Sequence, residues 1–558
     1  MNAIAIPSWM KRKIMEVFVT SDVDPVYAIK ANVDPQVFGA FGSYFSRNPK
    51  DFRVHLWNAI TGQVEEQQTD VDQDDLKWIL DSELNAPYQA IKKGLKTSQD
   101  FFKKWYGKYS HKSIANEVWI PMVATNVSQL WAREIAYEQL AFFIEQSTRY
   151  VRWDLNKMYK DIDIMESPAR NIFLNSLQTS IEGYDQLTDV FIGYFTSRNP
   201  IDEWLVKQDE SIKRAPQNVQ LATYKRQIQG AALDRSRFLL PQATQTNIAW
   251  ICDARSTEFD IAAWKGHPLH EIKFLTEFME KAAGSIAPSL LKYTGMNDYY
   301  ADNLHNYNFD LAAEPPVPFE KGVDLISFES QSLEKTVANI LLRHNKGGTF
   351  SQRFEQVMRM SFEDKMDVLH RVVKNRGPHD EKVEVDETFN MAKLAYEVRT
   401  DIGATRDWRR HQKWDRNEPL YTLDNGYYRP DIIDELPQEA QQSFDGVFQV
   451  AHKAEKAITE AGLPYQAQYV IPMGTRHPIV FAGGLDDFQY KVGLRTTPQA
   501  NFSYRIDAFN IAEAVVRQAP WLLGYETYPG GKSFMQIYDE APLKGIVRLQ
   551  TGEAEFHN

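Results

Sequence analysis

The sequence predicts a mixed α and β protein built from two related halves. Three features point to it: apolar patterns of both helical and strand period, a proline-rich break near the middle, and a weak internal repeat. Helical period is clearest over 127–146, where Val127, Trp131 and Ile135 recur every four residues and Leu140 and Ile144 follow, so one helix with a buried face is expected there. Strand period is clearest in LAYEV, where Leu394, Tyr396 and Val398 alternate with Ala395 and Glu397. A chain of 558 residues is also too long for a single hydrophobic core.

The break is AAEPPVPFEKG, in which Pro315, Pro316 and Pro318 forbid a continuous helix and impose an extended connector. It divides the chain into 1–314 and 315–558. The repeat relates the two parts. An apolar run leads into TNVSQLWAREIAYEQLAFFIEQSTRY in the first, and a similar run leads into TDIGATRDWRRHQKWDRNE in the second. Arg133 and Arg406 then correspond with an offset of 273 (406 − 133), and the prolines of LLPQAT and VIPMGT, Pro241 and Pro472, with an offset of 231 (472 − 241). Two pairs in the same order point to duplication, with the extra residues of the first half falling within 151–230.

Composition narrows the function classes. With 43% hydrophobic and 25% charged residues the chain is an ordinary globular protein, and its net charge of −12 opposes binding to nucleic acid polymers or an anionic membrane. Any anionic ligand therefore needs a local basic pocket. One cysteine, Cys252, excludes an internal disulfide and a multi-thiolate metal site, which fits a reducing compartment. The start lacks an apolar stretch long enough for a signal peptide, and no segment has the roughly 18 uncharged apolar residues of a spanning helix. A cytoplasmic protein is expected.

Three stretches carry candidate chemistry. EQSTRY sets Glu145, Ser147 and Arg149 on alternate positions; if extended, all three point one way, toward a ligand with imide and phosphate groups, and if a helix end, Arg149 pairs with Glu145 at the surface. RDWRRHQKWDR gathers Arg406, Arg409, Arg410, His411, Lys413 and Arg416, either a phosphate-binding patch or one solvated helix face. VGLRTTPQANFSYR adds Arg495 and Arg505, open to the same two readings. GGKS at 530–533 lacks the earlier glycine of a phosphate loop, Glu526 standing there, and His267 with His270 has no third ligand nearby, so no metal site is expected. Cys252 reads as a packed core thiol.

These strings resemble the flavin-dependent thymidylate synthases, whose signature runs R-H-R-x-x-S-x-N-E-x-S-x-R-Y after an upstream H-x-S/T-x-x-E-H element and before a downstream L-R segment. The resemblance implies an α+β chain holding two diverged copies of that fold, a mixed sheet with long helices. In the first copy His111 and Ser113 match the upstream element, with Asn116 and Glu117 in place of E-H, and Glu145, Ser147, Arg149 and Tyr150 match E-x-S-x-R-Y; Tyr137, Glu138 and Gln139 replace the basic triplet. In the second, Arg410, His411 and Gln412 stand at R-H-R and Asn417 with Glu418 at N-E, while Leu420 and Thr422 replace serine and arginine. The losses are complementary. The resemblance implies one composite nucleotide site made of Glu145, Ser147, Arg149, Tyr150, Arg410 and Arg495, with Arg410 and Arg495 also catalytic. It places flavin adenine dinucleotide (FAD) near His111, Ser113, Arg406, His411, Asn417 and Glu418. It further implies methylation of deoxyuridine monophosphate (dUMP) to dTMP with NADPH and methylenetetrahydrofolate, and a homodimer mimicking a tetramer. Asp407 stands where the family commonly has a substrate-contacting glutamine. Modification of another pyrimidine nucleotide, or nucleotide binding without turnover, are the alternatives.

Overall fold

Two four-stranded antiparallel sheets organise the described residues. The computed structural model describes residue 12 and residues 15–30, 51–61, 112–299, 301, 316–373, 387–496 and 500–522. His111, Pro315 and the GGKS stretch lie outside the described residues.

The chain divides into two compact units. The first comprises Met1–Gln178, Gln242–Glu314 and Lys456–Val470, and the second Thr179–Pro241, Pro315–Glu455 and Ile471–Asn558. Each unit thus takes a segment from the other half of the sequence. The stretch 151–230 is largely helical, holding Arg170–Arg198 and most of Gln217–Ser236.

In the first unit β1 (Val26–Ala28), β2 (Trp119–Ser128), β3 (Phe142–Glu145) and β4 (Gln245–Asp253) form a sheet in the order β1-β2-β4-β3. Helices α1 (Gln129–Tyr137), α2 (Ala254–Trp264) and α3 (His270–Ile286) accompany it. In the second unit β5 (Gly322–Phe328), β6 (Lys393–Asp401), β7 (Asp415–Asn417) and β8 (Arg476–Gly484) repeat the order as β5-β6-β8-β7, with α4 (Ile402–Trp408), α5 (Leu485–Thr496) and α6 (Phe502–Gln518).

The registers match as well as the order. Phe142 faces Ile251 in the first sheet and Asp415 faces Ala482 in the second, and these four residues are related by the offsets 273 and 231 that the arginines and prolines set. Between Ala124 and Val127 strand β2 carries one residue more than β6, a β-bulge at which Asn126 takes a φ of 55°. The bulge is held by Asn126 N donating to Asn247 Oδ1 at 2.9 Å.

LAYEV is a strand as its alternation requires, with Leu394, Tyr396 and Val398 buried beneath β6. The stretch 127–146 differs from expectation. Its helix is only Gln129–Tyr137, capped by Ser128 and burying Trp131 and Ile135, while Val127 belongs to β2 and Ile144 to β3. The reason is that Leu140, Phe142 and Ile144 also alternate with period two, and pairing of Phe142–Glu145 with β4 satisfies the backbone of that strand; the three side chains are exposed rather than core. The basic cluster is not one helix face either. α4 stops at Trp408, because Trp408 and Trp414 are both buried in the core of the second unit and the chain must turn between them.

No described helix is long and apolar enough to cross a membrane.

Candidate functional site

The second unit gathers the arginines. Arg495, in the last turn of α5, donates from Nε to His411 Nε2 at 2.9 Å and from Nη2 to the Asp407 carbonyl at 2.7 Å. Its Nη1 lies 3.4 Å from Asp407 Oδ1, and the Nη1 of Arg410, a half-exposed side chain, lies 3.5 Å from the same oxygen. His411 is buried, and burial together with the adjacent Arg495 holds its imidazole well below the usual pKa, so it accepts from Arg495 as a neutral ring. Arg406 is partly buried in the last turn of α4, and Lys413 is exposed.

Glu418 lies elsewhere than the surface. Arg409 Nε and Nη2 grip its two oxygens at 2.9 and 2.6 Å, His477 Nε2 approaches Oε2 at 2.9 Å, and Tyr421 OH accepts from Arg409. Arg409 and His477 hold the Glu418 carboxylate far below its usual range against the cost of burial. Asn417, at the end of β7, is exposed.

In the first unit Glu145 ends β3 and is buried. Strand geometry stops there. Ser147 Oγ accepts from Arg149 N at 3.2 Å, closing a turn through Tyr150, so the three residues do not continue the alternation of an extended strand. Tyr150 is exposed, as is Ser113 on the short turn Lys112–Glu117.

The offsets locate buried groups that no motif marks. Asp260 and Lys491 are the seventh residues of α2 and α5 and differ by 231 (491 − 260). Burial and its hydrogen-bonded neighbour Glu138 push the Asp260 carboxyl well above the usual carboxylate range. Lys491 Nζ sits 3.3 Å from the Phe481 ring centroid and 4.3 Å from that of Trp414, without a hydrogen-bond partner among the described residues; burial drives its pKa far down. Glu138 corresponds by 273 to His411, so an acid pair in one unit takes the place of an imidazole and an amine in the other. Arg237, contributed to the second unit by the first half, is likewise buried. Neither periodicity nor any motif marks these residues, because their burial is set by elements far apart in sequence.

Cys252 is buried, and burial with the nearby Asp260 pushes its thiol far above the usual range, which suits a packed thiol and not a nucleophile. His267 is buried and accepts on Nδ1 from Leu269 N, and His270 stacks on Phe274. Among the described residues no group of His, Cys, Asp and Glu is arranged to hold a metal ion.

The chain is similar in sequence to known proteins over most of its length. A family model described as thymidylate synthase complementing protein matches residues 66–289 and again 328–521. A UPF0159 protein of Chlamydia muridarum is 24% identical over 550 residues, covering 95% of each chain. UPF0159 protein Ta1429 of Thermoplasma acidophilum is 25% identical over 484 residues, 81% of this chain and 94% of that one. A flavin-dependent thymidylate synthase of Clostridium tetani is 23% identical over 189 residues, 34% of this chain and 67% of its own. Among solved structures, a UMP/dUMP methylase PolB from Streptomyces cacaoi bound with 5-Br dUMP aligns with 16% identity and a TM-score of 0.27, covering 36% of this chain and 92% of that one. Since the two matched regions make up most of the sequence, the chain belongs to the thymidylate synthase complementing protein family.

Proposed function

We propose that this member of the family is a flavin-dependent thymidylate synthase-like enzyme that reductively methylates dUMP to dTMP, with methylenetetrahydrofolate as carbon donor and NADPH as reductant. The observation that carries the reading is the 2.9 Å contact between Arg495 and His411, which joins the R-H and L-R elements across 84 residues of sequence. Similarity to the thymidylate synthase of Clostridium tetani supports the same chemistry.

In this reading Arg410 and Arg495, with Glu145, Ser147, Arg149 and Tyr150, hold the nucleotide. The guanidinium groups neutralise phosphate and stabilise negative charge that develops on the pyrimidine ring, and the carboxylate and hydroxyl orient the imide edge. Neutral His411 contributes no charge of its own; it fixes the Nε side of Arg495 so that the remaining N–H groups keep their direction. The buried Cys252 takes no part.

The donor set suits a dinucleotide. Arg410 and Lys413 are cationic and exposed and Arg406 is partly so, which matches the demand of a diphosphate, and Ser113 and Asn417 offer exposed polar groups. FAD, when bound, supplies the hydride. Glu418 serves the site from behind, through Arg409. A small-molecule nucleotide as the ligand, a homodimer as the assembly and the cytoplasm as the location complete the proposal.

A visible spectrum of the purified protein, taken before and after adding FAD and then dUMP, tests it. A bound-flavin spectrum that shifts with dUMP is expected, and no flavin binding under any condition sinks the oxidoreductive reading. Arg149→Ala and Arg410→Ala should each weaken dUMP binding about tenfold or more, because each removes a charge-assisted contact. Gln139→Ala and Thr422→Ala should leave binding as it is. Wild-type affinity in either arginine variant refutes the contact set.

A further inference from the structure

Both arginines assigned to the phosphate are held by one carboxylate. Asp407 Oδ1 stands 3.4 Å from Arg495 Nη1 and 3.5 Å from Arg410 Nη1, with the Asp407 side chain only 13% exposed. A carboxylate and a phosphate present the same kind of oxygen to a guanidinium fork, so they compete for the same N–H groups. We propose that Asp407 is an internal competitor for anions, occupying the fork of Arg410 and Arg495 in the free chain and giving way when a phosphate group binds. The inference rests on the proposed assignment of these two arginines to the nucleotide.

Two observations carry it. First, Arg495 does not depend on the carboxylate for its place: Nε is fixed by His411 Nε2 at 2.9 Å and Nη2 by the Asp407 carbonyl at 2.7 Å. Withdrawal of Oδ1 leaves the guanidinium anchored and releases Nη1 toward an incoming oxygen. Arg410 is 46% exposed and free to follow. Second, the other copy shows the acid without the fork. Glu134, related to Asp407 by the offset of 273, meets its neighbour Arg133 at 3.3 Å, while Tyr137 and Trp264 stand where Arg410 and Arg495 do. Glu134 keeps an arginine neighbour as Asp407 does, while the positions of Arg410 and Arg495 hold no arginine in the first copy.

The consequence is selective. The carboxylate offsets one of the two guanidinium charges, so it lowers affinity for anionic ligands and leaves uncharged ones untouched. Equilibrium binding to full-length Asp407→Asn tests this with dUMP, inorganic phosphate and deoxyuridine as probes. The variant keeps the backbone carbonyl and the His411 contact, so dUMP and phosphate should bind about tenfold more tightly and release more slowly, with deoxyuridine unchanged. Tighter phosphate binding without any binding of dUMP upholds the competitor and removes the nucleotide reading. Equal or weaker affinity for both anions overturns it, as does an equal gain for deoxyuridine. Asp407→Ser, judged by the same three probes, replaces Asp407→Asn if thermal unfolding shows that the latter does not fold.

Discussion

Glu271 accepts three hydrogen bonds on a carboxylate that water does not reach: Ser128 N at 2.8 Å, Ser128 Oγ at 2.5 Å and Tyr469 OH at 2.8 Å. Burial nevertheless pushes its pKa up to about 7, and neighbouring Asp161 is itself pushed up to about 6. Because the folded state holds the proton above the ordinary carboxylate pKa, this group's favourable contribution is present at acid pH and is lost as pH rises from the ordinary value through about 7. Glu271→Gln should therefore flatten the fall in stability with pH, the variant gaining about 2 kcal/mol on the wild type between about pH 5 and about pH 8. Denaturant unfolding at the two pH values measures it, and parallel behaviour of both proteins would dismiss the role of Glu271. In the second unit the bond is reversed: Ser503 Oγ, on the second residue of α6 as Glu271 is the second of α3, donates to Asp401, which matches Ser128 by the offset of 273, and Lys321 adds a cation 3.1 Å from Asp401. The same pair of positions is satisfied in both units with donor and acceptor exchanged.

At the scale of elements, a second exchange involves size. Trp414 is fully buried over Gly483 of β8, and a Cβ at Gly483 would come within 2.6 Å of the indole. The positions that match these by the offsets 273 and 231 hold Ala141 and Cys252, so a large–small pair in one sheet is a small–medium pair in the other. This accounts for the lone cysteine as packing. Gly483→Ala should cost about 1–3 kcal/mol and blue- or red-shift the Trp414 fluorescence as the ring is displaced; an unaltered melting temperature would mean that the indole has room the geometry denies it. Such exchanges also explain what could be read from sequence. LAYEV was legible because one face of β6 is buried and the other is not. The stretch 127–146 was ambiguous because Leu140, Phe142 and Ile144 suit period two as well as period four, and only pairing with β4 decides. The direct contact of His411 with Arg495 was not legible, because the motifs put His411 with the cofactor and Arg495 with the nucleotide. Asp260, Glu271 and Lys491 were not legible either, since their surroundings come from elements far apart in sequence, and a single acid or lysine in a helix carries no sign that it is buried.

At the scale of the whole molecule, the two sequence halves do not coincide with the two compact units. The second unit incorporates Thr179–Pro241 from the first half, where Met473 N donates to Leu240 O and Gly474 N to Phe238 O, at 2.9 and 2.8 Å. The first unit incorporates Lys456–Val470 from the second, where Ala243 N donates to Tyr469 O at 2.9 Å and Tyr469 OH reaches Glu271. A chain cut at the connector therefore leaves each half without a segment that its own unit needs. Residues 315–558 expressed alone would expose Met473, Tyr469 and Phe448, all buried in the intact protein, and leave the Met473 and Gly474 amides unpaired. The two halves, 1–314 and 315–558, should each be aggregated or molten when made separately and should recover native circular dichroism and a sharp melting transition when co-expressed. A cooperatively folded, monomeric 315–558 fragment would show that the exchanged segments are dispensable, and the two copies would then be linked by the connector alone. Recovery only on co-expression would mean that duplication was followed by commitment: neither copy could be lost without the other, which is the condition under which one can shed its basic triplet and the other its E-x-S-x-R while the chain as a whole persists.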